Sequence, residues 1–249
     1  MDFFNSFFGR NPTLRCRAPA VGTSELNVYP VAQKINWPTI FDAAYALDFS
    51  SSSASDAAAG TGARTIEVYG LDKDFNPVSE VITLNGQTKG TGVVLFRRVF
   101  GAIVQTAGSG LANAGDIYLY KTGTGGTITA GVPGTLTGVA LKALAGDNLA
   151  FSGLFTAPAG KRYILSDLTV SARAQAGTLF VKHAKPATGQ ILFNELKLEF
   201  GAGGLWDLTL NGDLTPLVVG EKEDVYFTAL CAAASGIVNV FAKFAQINN

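Results

Sequence analysis

Apolar residues in this chain recur at every second position, and glycine-bearing turns separate the runs. Ile66 and Val68 alternate with Thr65, Glu67 and Tyr69, and Ile82 and Leu84 with Val81 and Thr83. Leu192, Leu196, Leu198 and Phe200 form one face, with Glu195, Lys197 and Glu199 pointing away. Trp206, Leu208 and Leu210 oppose Asp207 and Thr209; Val238, Val240, Ala242 and Phe244 oppose Asn239 and Lys243. Two is the strand period, whereas a helix repeats about every 3.6 residues. Turn signals fall between the runs at Asn85-Gly86, Gly123–Gly126, Pro158-Ala159-Gly160 and Asn211-Gly212-Asp213. Many short, evenly spaced strands predict an all-β fold of β-sandwich or jelly-roll units. One short helix is expected around Leu136–Leu144.

The runs group into zones. Residues 39–149 read as one β-sandwich domain and 150–249 as a second, jelly-roll-like β domain, although a single larger sandwich would also use both segments. Residues 1–38 differ. Phe3, Phe4, Phe7 and Phe8 crowd the first ten positions, and Arg15-Cys16-Arg17 and Pro12, Pro19 and Pro30 follow. This predicts an extended N-terminal docking arm. The four phenylalanines serve either as an anchor in a partner or as packing on the chain's own core.

Charge narrows the partners. Only 15% of residues are charged, against about 25% in an ordinary soluble domain. Nineteen basic and nineteen acidic residues cancel. No basic field marks a phosphate backbone as partner, so nucleic acid is not expected. The uncharged run Val225–Ala242 is long enough for a membrane span, but Thr228, Ser235, Gly236 and Asn239 interrupt it. It reads as two strands and a turn, with no membrane partner. Cys16 and Cys231 are too few for a disulfide framework and read as free thiols.

Catalytic and metal patterns are sparse. Lys121-Thr122 lacks the glycines of a phosphate-binding loop, and no helical pattern follows Gly123–Gly126. His183 is the only imidazole and reads as a surface or hairpin residue at a strand end. A triad or a zinc site would need more partners. Asp72 and Asp74 flank one turn, and Glu221, Glu223 and Asp224 another; acids in polar turns are ordinarily solvated. Asp72, Asp74 and Asn76 begin like a calcium loop but lack its glycine and distal glutamate. Tyr118 and Tyr120 share a face, and Trp206 stands on another strand. They are read as core or subunit-interface residues, with sugar stacking as the competing use. No catalytic, metal or cofactor-binding residue is expected.

One stretch is more specific. Ser50-Ser51-Ser52-Ser53-Ala54-Ser55-Asp56 leads through Gly60-Thr61-Gly62-Ala63-Arg64-Thr65 into Gly70-Leu71-Asp72, then Ser79-Glu80 and Leu84-Asn85-Gly86. Phe155-Thr156-Ala157-Pro158-Ala159-Gly160-Lys161 follows later. Together these resemble a β-module of virion structural proteins from tailed, marine-type bacteriophages, also seen in large algal viruses. The resemblance runs over residues 45–249 and is densest at 50–86. It implies a non-enzymatic particle component: a capsid decoration or cement protein, or a base or adaptor for head or tail fibres. It would assemble as a symmetric homo-oligomer with other virion proteins in the host cytoplasm. A receptor- or glycan-binding fibre domain is the alternative. Read from the residues alone, the Ser/Ala/Gly stretch is a flexible connection, and Thr65–Tyr69 and Val78–Leu84 are paired strands.

Overall fold

A computed structural model describes residues 7–31, 41–185, 190–209 and 217–247, without the side chains of 190–195 and 206–209. The fold is all-β. In chain order the first strands are β1 (Thr13–Val21) and β2 (Leu26–Asn27). Next come β3 (Leu47–Ser51), β4 (Ala63–Leu71), β5 (Pro77–Thr83), β6 (Gly90–Thr91) and β7 (Arg98–Ala107). Then follow β8 (Ile117–Lys121), β9 (Ile128–Thr129), β10 (Val132–Pro133), β11 (Val139–Ala143) and β12 (Leu149–Phe151). The last are β13 (Leu154–Thr156), β14 (Arg162–Arg173), β15 (Gly177–Lys185), β16 (Gln190–Phe200), β17 (Leu205–Thr209), β18 (Val218–Val219), β19 (Asp224–Cys231) and β20 (Gly236–Ile247).

Two units result. One is Thr39–Ser152; the other joins Met1–Pro38 to Gly153–Asn249. The continuous unit has two four-stranded sheets, ordered β11-β8-β3-β6 and β12-β7-β4-β5, and a small β9–β10 hairpin. The alternation read from the sequence sets its faces. Ile66, Val68, Ile82 and Leu84 are buried, while Val81 is 59% exposed. β4 and β5 pair antiparallel in the register Ile66↔Ile82 and Val68↔Glu80.

The discontinuous unit has two five-stranded sheets. One is ordered β1-β20-β14-β17, with β18 beside β14; the other β13-β19-β15-β16, with β2 beside β19. Its core takes Leu14, Cys16, Leu168, Val170, Val240 and Phe244 from the first and Leu179, Val181, Val225 and Phe227 from the second. Burial between two sheets is the driving force for such a pair. Phe155 anchors it, stacked on Phe244 at 4.0 Å between ring centroids and edge-on to Tyr163 at 5.1 Å. Val225–Ala242 is two strands and a turn, β19 and β20. No helix of the described residues is long and apolar enough to cross a membrane.

Three expectations need correcting. Within the segment expected as an arm, Thr13–Val21 is strand β1, paired with β20 and burying Leu14, Cys16, Ala18 and Val21. Its alternation makes it a sheet edge, not a tether. The helix expected around Leu136–Leu144 is the strand β11. Val139, Ala140, Leu141 and Ala143 are fully buried, and a short apolar run of this kind carries no periodicity that separates helix from strand. The Ser/Ala/Gly stretch is not a flexible connection: Ser51 and Asp56 are buried and hydrogen-bonded in place.

Candidate functional site

The motif-bearing stretch folds around one carboxylate. Asp56 is fully buried. Its Oδ1 accepts the amides of Ala63 and Ala114, both at 2.8 Å. Its Oδ2 accepts the Ser51 hydroxyl at 2.6 Å and the Gly115 amide at 2.9 Å. Its carbonyl accepts the Gly86 amide at 2.7 Å. The side chain thus ties the end of β3, the start of β4 and the loop before β8, and the backbone carbonyl adds the turn after β5. Ser51 Oγ also accepts the Ser53 amide, and Ser52 Oγ the Asp116 amide. A side chain at Gly62 would collide with Asp56 Oδ1, and Gly86 sits at φ +60°. The Gly, Ser and Asp positions are therefore set by a knot of buried donors and acceptors. The sequence displays this aspartate as the one acid among Ser, Ala and Gly; its role was not read there. A second buried carboxylate, Asp48, was not singled out at all. It accepts Thr91 Oγ1 at 2.6 Å and Lys89 Nζ at 3.3 Å.

The second motif, Pro158–Lys161, is likewise a clasp. Ala157 exchanges backbone hydrogen bonds with the loop before β19, donating to Glu223 O and accepting from Lys222. The Gly160 amide donates to Glu221 Oε2 at 2.7 Å. Lys161 Nζ donates to Phe8 O at 3.1 Å, and Tyr163 OH to Gly9 O at 3.4 Å. Phe7 and Phe8 are themselves buried, at 4% and 3% exposure. Phe3 and Phe4 lie outside the described residues.

His183 is not a surface residue. It is 3% exposed, because β15 runs on past it and its position continues the core-facing series Leu179, Val181. Its Nε2 lies 2.9 Å from Glu223 Oε2, which also accepts the Gly220 amide at 2.7 Å. Lys185 Nζ is 3.2 Å from Oε1. Burial works to raise the Glu223 pKa, but the Gly220 amide, Lys185 and His183 together outweigh it and hold the carboxyl below the usual range. Nearby, Lys182 Nζ pairs with Glu25 Oε1 at 2.7 Å, and Thr228 Oγ1 donates to the same oxygen at 2.6 Å.

The other sequence candidates are not brought together. Asp72 Oδ1 accepts the amides of Asp74 and Asn76, so this carboxylate closes its own turn. Among the described residues no three acids, histidines or cysteines converge as a metal cluster. Tyr118 and Tyr120 are 6% and 1% exposed, so neither offers a ring for stacking. The side chain of Trp206 lies outside the described residues. Cys16 and Cys231 are free and buried, and burial pushes both thiol pKa values up.

No protein-family model matches the chain, and no curated protein matches it. Among solved structures, a chain of "Structure of infectious bursal disease virus Gx strain" aligns over 96% of this chain and 76% of that one. Identity is 11% and the TM-score 0.13, a likeness too low to carry an argument.

Proposed function

We propose that this protein is a non-enzymatic structural component of a tailed-bacteriophage virion, assembled as a symmetric homo-oligomer against other virion proteins. Capsid decoration, or a fibre base or adaptor on head or tail, is the role in view. The observation that supports this reading most is the Asp56 knot. The stretch that most resembles the phage module spends its polar groups on holding strands together. The Pro158–Lys161 turn is used in the same way. A motif that specifies a scaffold suits a protein whose work is to present a shape. Low charge suits close contact between copies, since interface cores are depleted of charged residues, and closed symmetry is the common solution for such contacts. A receptor- or glycan-binding fibre domain is the competing reading. It loses Tyr118 as a stacking surface, because that ring is buried.

The test is to purify particles from infected host cells and locate the chain by mass spectrometry and antibody-labelled imaging. Stoichiometric, symmetry-related labelling of particles is the result expected. A chain found only in the soluble fraction would remove the proposal.

A further inference from the structure

Arg15-Cys16-Arg17 lies in the edge strand β1, paired on one side with β20. In β1, Cys16 points into the core, and Arg15 and Arg17 stand exposed on the opposite face. The register places Arg15 beside Phe241, Arg17 beside Asn239 and Thr13 beside Lys243 on β20. Arg15 lies over the Phe241 ring at 5.3 Å from its centroid, and Lys243 at 5.7 Å. Ile237, Asn239 and Phe241 are each half-buried, as expected for a central strand with an uncovered face. On the neighbouring strand β14, Asp167 sits in register with Lys243, 4.0 Å from its Nζ. The β1–β20 half therefore carries three cations and, among the described residues, no carboxylate of its own.

We propose that this half of the sheet docks an acidic surface of a partner protein. Charge complementarity selects the partner's chemistry, and the geometry selects carboxylates. Arg15 and Arg17 stand two residues apart on one strand face, each able to take a carboxylate in a two-pronged hydrogen bond. The Phe241 ring is already engaged by two cations, so it is not open for a nucleobase to stack on. Three cations are also few for a phosphate backbone, which is held by many.

The experiment uses the full chain and two fluorescent probes, poly-L-glutamate and a single-stranded oligothymidylate, followed by anisotropy at about 50 mM and about 200 mM salt. Poly-L-glutamate is expected to bind at the lower salt and to weaken at the higher. The double variant Arg15→Gln/Arg17→Gln should bind it at least about tenfold more weakly, as loss of charge-assisted hydrogen bonds requires. Both positions are exposed, so its thermal unfolding should match wild type. Should that variant self-associate, Lys243→Gln on the neighbouring strand carries the same expectation. Absence of binding, equal binding by the variants, or preference for oligothymidylate would each overturn the proposal. It does not depend on the assembly reading: a monomer that binds poly-L-glutamate would keep this surface and lose that reading.

Discussion

Among single residues, the carboxylates that hold backbone matter most, Asp56 first. Asp56 satisfies four donors, and all four are lost to truncation. Asp56→Ala should therefore cost about 4 kcal/mol or more, since each stranded buried donor costs about 1–3 kcal/mol. Urea unfolding measures this, and a change under about 1 kcal/mol would show that the knot does not hold the loops. Glu223 gives a pH signature. Its pKa is lowered in the folded state, so its contribution is present above the unfolded value and is lost as pH falls through the folded one. The stability gap between wild type and Glu223→Gln should be full near neutrality and close below the ordinary carboxylate range. A gap independent of pH would mean that the ionised group contributes nothing. Neither role was visible in the sequence. Asp56 stood out there only as part of a pattern, because its donors come from residues as distant as Gly115. Burial of His183 was hidden for the same reason: its partner, Glu223, arrives from a loop forty residues on.

At the scale of elements, period-two alternation carried most of the reading. It located β4, β5 and β20, because each buries one face more than the other. It failed where that contrast vanishes. β11 is buried on nearly every residue, and a short run buried all round looks the same in either geometry. The N-terminal segment is ambiguous for a different reason. Prolines and clustered phenylalanines suggest an arm, while Leu14, Cys16 and Ala18 alternate with Arg15 and Arg17 as a strand does. β1 supplies core residues to the sheet of β20 and β14. Deleting residues 1–21 should therefore lower the melting temperature markedly and raise dye binding to exposed apolar surface, rather than release a folded protein that merely fails to attach. Unchanged melting by circular dichroism would restore the arm reading.

At the scale of the whole molecule, two β units are threaded by one chain, and only one of them is continuous. Nothing local in the sequence reveals that the first 38 residues belong with the last 97. That pairing is long-range, made by β1 with β20 and β2 with β19. Residues 39–152 hold both of their sheets within one segment. Expressed alone, they should unfold in a single cooperative transition, whereas residues 153–249 alone should not. Cooperative unfolding of 153–249 would mean that β1 and β2 are dispensable. The proposed symmetric assembly is tested by the mass of the purified full chain from light scattering, with class averages from negative-stain images. A discrete closed oligomer, such as a trimer, pentamer or hexamer, with visible rotational symmetry is expected. A stable monomer across the concentration range, with a cooperatively folded chain, would contradict it.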